Sequence, residues 1–328
     1  MNKQIIKNNI SFGRLSVPQL MAAPLDGVTD SPLRQLIREF SPNELIMTEM
    51  RHVAHVANDK KDRTLNYNDI EHPIAFQFSG NKIDFIDYAV ERVIEKKFDM
   101  INFNCGCPSR SVVQSGSGSA LMADPPRLKI LLDHFYRCIN GRIPFTVKIR
   151  SGFRESPSAV EIARIAQDSG VDGMMIHPRM QSGGFSSMLD FDLVRKVKNA
   201  VSIPVIFSGN INSFSRLQKT HNLTGVDGFM IGRALWGAPW KMREIAEHAK
   251  GNDFLMETQT IISYAIKHFH LSMMYYGKNG FNVFKKQLPL YIRNVKNASE
   301  WRMKLLRSQS DDEMRKNLEQ VYVENGGN

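Results

Sequence analysis

Phe98-Asp99-Met100-Ile101-Asn102-Phe103-Asn104-Cys105-Gly106-Cys107-Pro108, followed shortly by Gly116-Ser117-Gly118, is the stretch that decides how this chain folds. Its first half is short, apolar and β-prone, and reads as a buried strand. Its second half sets a thiol on a Gly/Pro-shaped turn at the strand's C-terminal end. Backbone this rich in glycine can lie close against a flat ligand. Seven similar apolar runs surround it: Gln19–Ala23, Glu44–Thr48, Pro73–Phe78, Phe145–Ile149, Gly173–Ile176, Pro204–Phe207 and Gly228–Ile231. Amphipathic stretches lie between them, among them Ile83–Lys96, Pro126–Asn140, Ala159–Asp168 and Phe191–Asn199. Eight strands alternating with helices over about 240 residues predict an α/β fold, a (β/α)8 TIM barrel. An open dinucleotide-binding sheet would want Gly-x-Gly-x-x-Gly after its first strand, and Ala22-Ala23-Pro24-Leu25-Asp26-Gly27 is not that motif.

The alternation stops after Trp240. We expect a barrel over residues 1–242 and a C-terminal all-helical domain over 243–328, ending in a polar tail from Ser308. Between Lys278 and Arg307 eight Lys/Arg face one acid, Glu300, with Phe281, Phe284, Tyr291 and Trp301 interleaved. The whole chain carries a formal charge of +10. Such a mixture suits phosphate contacts and base stacking, and so a nucleic-acid partner.

Composition narrows the remaining classes. No apolar run approaches the ~20 residues of a membrane span, and residues 1–11 lack a signal peptide's apolar segment, so a cytoplasmic protein without membrane contact is expected. Three cysteines, 105, 107 and 138, do not make a disulfide framework. Cys105 and Cys107 lack a second Cys/His cluster, and no metal is expected. Cys138 reads as core, and Cys105 as a small buried hydrophobe beneath a cofactor.

In a barrel, the C-terminal strand ends converge on one mouth. The residues predicted there are the Pro24-Leu25-Asp26 turn, Gln77, Asn104 with Cys107, Lys148 with Arg150, His177 with Arg179, Ser208-Gly209-Asn210, and Gly232-Arg233. Gly-rich loops after the last two strands lie where barrels hold a phosphate. Lys148 and Gln77 would serve a polar ring edge. The set suggests a phosphorylated planar cofactor such as FMN.

The motifs Ala23-Pro24-Leu25-Asp26-Gly27-Val28-Thr29-Asp30, Asn104-Cys105-Gly106-Cys107-Pro108-Ser109, Gly116-Ser117-Gly118-Ser119-Ala120-Leu121, Val147-Lys148-Ile149-Arg150 and Ile231-Gly232-Arg233 with Pro239-Trp240 are collinear with a known pattern. Over residues 18–305 the chain resembles the tRNA-dihydrouridine synthases. The resemblance implies FMN-dependent reduction of uridines in tRNA, with NADPH (or NADH) as reductant and Cys107 as proton donor. A thiol ionises near pH ~8.5, so at pH ~7 it still carries a proton it can give up. By the same resemblance, Pro24, Leu25 and Asp26 line the flavin, and Gln77, Lys148 and His177 contact its ring or ribityl chain. Ser208, Gly209, Asn210, Gly232 and Arg233 hold its phosphate. Asn104 and Arg179 belong to the substrate side, and Lys285, Lys286 and Arg293 dock the tRNA on a monomer. The chain departs from the family at His177-Pro178-Arg179-Met180 and Ser208-Gly209-Asn210, where His-Gly-Arg-Thr and Asn-Gly-Asp or Asn-Gly-Glu are usual. A barrel flavoenzyme of a free small molecule such as dihydroorotate, a non-catalytic RNA-binding protein, and action on ribosomal RNA are the alternatives.

Overall fold

Eight short apolar runs bury both faces when the sheet is covered by helices on both sides or closes on itself with helices outside. In a computed structural model, which describes residues 5–6, 8–154, 156–183 and 187–326, the sheet closes. A hairpin, β1 (Asn9–Phe12) and β2 (Leu15–Pro18), comes first. The barrel strands are β3 (Leu20–Ala22), β4 (Ile46–His52), β5 (Ile74–Ser79), β6 (Met100–Cys105) and β7 (Phe145–Phe153). A two-residue strand, β8 (Ser156–Pro157), folds back on β7. The circuit continues with β9 (Gly173–Met180), β10 (Val205–Ser208) and β11 (Gly228–Ile231). The order β3-β11-β10-β9-β7-β6-β5-β4 is parallel throughout. It closes where the Ala22 amide donates to Leu45 O at 2.9 Å. All eight expected strands are present, several running a few residues past their expected ends.

Strand parity sorts the side chains into two cores. Ile101, Phe103, Phe76, Phe78, Val147 and Ile149 point outward to the helices and share a cluster with Phe135, Leu132 and Val90. Met21, Leu45, Met47, Ala75, Met100, Met175, Ile206 and Met230 point inward and fill the barrel's lower half. The hairpin completes that inner core from below with Ile10, Phe12 and Val17. It takes the room that side chains at two strand starts would occupy. A Cβ on Gly173 would lie 2.5 Å from the Phe12 ring, and one on Gly228 2.4 Å from Ile10. The polar N-terminus thus opens into a plug for the barrel floor, which its composition did not announce.

Helices Pro125–Ile139 and Ser31–Phe40 show why the helices start where they do. Asp124 and Asp30 cap them, accepting from the Arg127 and Leu33 amides, with proline in each first turn. Helix Lys241–Lys250 sends Met242 and Ile245 into the barrel's outer core. It packs on helix Phe214–Thr224, and the next helix begins at Thr258.

The C-terminal helical module comprises helices Thr258–Tyr276, Gly280–Tyr291, Ala298–Arg307 and Asp311–Glu324. The last of these replaces the expected polar tail. Ser310 caps it, and Met314, Leu318 and Val321, at i, i+4 and i+7, give it a buried stripe. The module rests on helix Ser31–Phe40 and its cap. Tyr276 Oη donates to Asp30 Oδ2 at 3.1 Å, and Lys267 pairs with Glu39 at 2.6 Å. Among the described residues no helix is long and apolar enough to cross a membrane.

Candidate active site

One step above the methionine layer, the same parity brings polar residues inward. Gln77 Nε2 donates to Asn102 Oδ1 at 2.7 Å, Asn102 Nδ2 to Thr146 Oγ1 at 2.9 Å, and Asn104 Nδ2 to Gln77 Oε1 at 2.9 Å. This ladder across β5, β6 and β7 satisfies three buried amide side chains, and its Gln77 and Asn104 line a cavity of about 550 Å³, within the usual range for a small-molecule site.

The strand ends supply the walls. Pro24, Leu25 and Asp26 line one side, and Gln77, Asn104 and Cys107 another. Lys148, Arg150 and His177 follow. Ser208, Gly209, Asn210, Gly232 and Arg233 complete the ring. Arg233 reaches Asn210 Oδ1 at 3.1 Å, joining the last two loops. Other lining residues were not expected, among them Met50, Asn212 and Arg216. Met50 enters because β4 carries a register shift between Met47 and Met50. Asn212 and Arg216 come from the loop and first turn after β10, where Ser213 caps helix Phe214–Thr224. The Ser213 cap was the legible signal for Arg216.

Cys107 is pinned from both sides. Asn104 Oδ1 accepts from the Cys107 amide at 2.8 Å and from the Gly106 amide at 3.1 Å. The Cys107 carbonyl accepts from the Ser119 amide at 3.0 Å and from Ser119 Oγ at 2.9 Å. Arg150 Nε donates to Gly106 O at 2.8 Å. Gly118 is required here: its φ is +60°, and a Cβ would sit 2.8 Å from Cys107 O. Cys105 has the opposite parity to Asn104. It is fully buried in the outer core, away from the cavity, which corrects its expected place beneath a cofactor.

The electrostatics are one-sided. Lys148, Arg150, Arg216 and Arg233 line the cavity against a single carboxylate, Asp26, which lies 3.6 Å from Arg51. Burial, with Arg150 nearby, pulls the Lys148 ammonium down to about 8, and burial takes Arg150 to about 10. Burial and then the surrounding cations push His177 down to about 2, so it is neutral. Arg179 Nη1 lies 3.3 Å from His177 Nε2. A guanidinium only donates, so Nε2 accepts and Nδ1 carries the hydrogen. That Nδ1 is buried without a partner among the described residues. Arg179 itself does not line the cavity; its Nε donates to Ser187 O at 2.7 Å.

A model of the dihydrouridine synthase family (Dus) matches residues 21–325. The chain belongs to the dihydrouridine synthase family. It is 30% identical over 328 residues to tRNA-dihydrouridine synthase B of Pseudomonas aeruginosa, covering 97% of each chain. It is also 30% identical over 304 residues to a probable tRNA-dihydrouridine synthase of Rickettsia prowazekii, covering 89% of this chain and 91% of that one. Among solved structures, an old yellow enzyme homologue from Zymomonas mobilis superposes with a TM-score of 0.57 at 13% identity, over 75% of this chain and 93% of that one. Histamine dehydrogenase from Rhizobium sp. 4-9 gives 0.59 at 12%, over 81% and 51%. At such identity these two structures establish the fold.

In this dihydrouridine synthase the basic stretch divides into two kinds of residue. Lys286 and Arg293 are exposed on and just beyond helix Gly280–Tyr291. Lys285 is half-buried: its Nζ donates to Ser308 O at 2.6 Å and lies 4.3 Å from the Phe281 ring centre. The aromatics expected to stack on bases are mostly core. Phe284, Tyr291 and Trp301 are buried in the helical module's cluster.

Proposed function

We propose that this protein reduces the 5,6 double bond of uridines in tRNA, with FMN as its flavin, NADPH (or NADH) as reductant and Cys107 as proton donor, working as a cytoplasmic monomer. The observation that carries the reading is the Cys107 loop, fixed at four backbone atoms beside a cationic cavity in a chain of this family.

The residues fit such a cofactor. The unpaired Nδ1–H of His177 is a donor lacking an acceptor. The excess of cations suits a phosphate and an electron-rich ring. Helix Phe214–Thr224 starts at the wall that Asn212 and Arg216 line, and a helix N-terminus favours an anion. Gly232 leaves open the space its Cβ would take. Pro24, Leu25, Asp26, Gln77, Lys148 and His177 would hold the ring and its chain. Ser208, Gly209, Asn210, Gly232 and Arg233 would hold the phosphate. When bound, the flavin supplies hydride transfer.

The chain's own contribution is orientation and proton delivery. Cys107 Sγ gives its proton to carbon 5 of the uracil ring. Lys148 and Arg150 offset negative charge developing on the base. Asn104, Ser119 and Arg150 hold the Cys107 backbone still while this happens. Lys286 and Arg293 would meet the RNA backbone, while Asn104 acts on the base through the Cys107 loop it holds and Arg179 stays behind the cavity wall against His177. Mapping dihydrouridine in total RNA from cells with and without the protein tests the reading. Loss of the modified base at defined tRNA positions is expected; an unchanged map overturns it.

A further inference from the structure

His134 and Cys138 stand four residues apart on helix Pro125–Ile139 and therefore share a face. Helix Ile86–Glu95 packs alongside and turns Asp87, in its first turn, toward them. Asp87 Oδ2 lies 3.0 Å from His134 Nε2, and Asp87 Oδ1 accepts from Cys138 Sγ at 3.0 Å. The three donor atoms all fall within 4.8 Å of one another. Asp87 is distant in sequence from the other two, and all three lie outside the catalytic cavity. Among the described residues this is the one group of three or more such side chains drawn together in this way.

We propose that Asp87, His134 and Cys138 bind a divalent transition-metal ion, Zn2+ first, on the outer helical wall of the barrel. The donor set of one sulfur, one imidazole nitrogen and one carboxylate oxygen is that of tetrahedral zinc, and thiolate discriminates against Mg2+ and Ca2+. At Zn–S ~2.3 Å and Zn–N or Zn–O ~2.0–2.2 Å, tetrahedral ligand atoms stand roughly 3.3–3.7 Å apart. Asp87 stands 3.0 Å from each of the other two, through its two oxygens, and all three donors lie within 4.8 Å, so binding through one carboxylate oxygen asks for side-chain rotation only. The fourth position opens to solvent on the exposed side of Asp87, which is 75% accessible, and water would fill it.

Binding balances simply. The metal displaces the Cys138 proton to solvent, and His134 coordinates through the Nε2 lone pair with its hydrogen moved to Nδ1. Without a metal, burial and the adjacent Asp87 hold the Cys138 thiol up at about 12, so it stays protonated and donates to the carboxylate. The two cations acting on the thiol are both engaged: Arg137 Nε donates to Asp133 O at 3.3 Å, and Arg142 pairs with Glu91 at 2.7 Å and donates to Cys138 O at 2.8 Å. A metal here would cross-link the helices that follow β5 and the Cys107 loop.

Equilibrium dialysis of the full-length, flavin-loaded protein against Zn2+, with metal counted per chain, is the test. One equivalent is expected for the native protein and for Cys107→Ala, with affinity at least about tenfold weaker in Cys138→Ser and His134→Ala. Co2+ should give the red-region absorption of a tetrahedral site, absent in Cys138→Ser. No stoichiometric binding, or binding that survives Cys138→Ser, overturns the proposal. Should the variants fail to fold, the native protein still decides. At a pH and exposure time that label Cys138 in the metal-free protein, Zn2+ should protect it from alkylation in peptide mass analysis, and equal labelling with and without metal refutes the site.

Discussion

The side-chain oxygen of Asn104 lies 2.8 Å from the amide nitrogen of Cys107, and its NH2 group donates to Gln77. The residue expected to orient the base therefore spends its acceptor on the loop that carries the acid. Asn104→Ala would leave two amides unpaired and let Cys107 drift. A misplacement of about 1 Å can cost ~10²-fold in rate. The turnover rate at saturating tRNA should fall by about that factor, with a smaller change in KM. A variant altered only in KM would return Asn104 to simple substrate binding.

Cys107→Ala should remove the proton donor and leave the cavity's cationic wall intact. General acids contribute about 10²–10⁴-fold, so dihydrouridine formation should drop by at least ~10²-fold while the purified protein stays yellow. Native rates in this variant would reassign the acid.

Asp30 caps helix Ser31–Phe40 and receives Tyr276 Oη from the helical module. Burial raises its carboxyl from 3.8 to about 6, with Glu49 adding to the rise. The folded chain then keeps a proton that the unfolded chain releases between pH ~4 and ~6. The stability this contributes is full below the unfolded value and is lost as pH climbs through about 6. Asp30→Asn keeps the cap oxygen and removes the titration. The stability gap between native protein and variant, from urea unfolding, should therefore change across that window and level off above it. A gap independent of pH would contradict the assignment.

The Phe12 ring and Gly173 share one space, since a Cβ at 173 would lie 2.5 Å from the ring. Gly173→Ala should destabilise by about 1–3 kcal/mol through overpacking, and Phe12→Ala by about 3–5 kcal/mol through a cavity. The double variant should lose less than the sum, because each change relieves the other. Strict additivity in a double-mutant cycle would show that the contact carries no strain.

Lys286 and Arg293 are exposed, whereas Lys285 ties helix Gly280–Tyr291 to Ser308. Lys286→Glu and Arg293→Glu should weaken tRNA binding and lower the salt slope by about one per lost phosphate contact. Lys285→Glu should lower the melting temperature as well. Filter binding across a salt series, alongside thermal melts, separates the two behaviours.

The strands and the cavity were readable because both follow from a rhythm of two. Gln77, Asn104, Lys148 and His177 share the inward parity of the methionines below them, and a polar residue in an apolar strand has to be explained. Rhythm fails where backbone departs from it. Met50 lies beyond an irregularity in β4, and Arg216 lies in the turn after a strand. Aromatic residues in a basic stretch look alike whether they face RNA or a core, and Phe284 and Tyr291 proved to be core. Asp87 and the pair His134 and Cys138 are separated by about fifty residues, and only helix packing brings them together. Met314, Leu318 and Val321 did mark a helix, although the many charges around them read as a tail.

The hairpin stopper has a kinetic corollary. A vessel sealed at its base has a single door, so on the proposed chemistry the nicotinamide and the flipped nucleotide cannot queue from opposite ends. Each must vacate before the other arrives, and steady-state rates measured against both should trace parallel double-reciprocal lines.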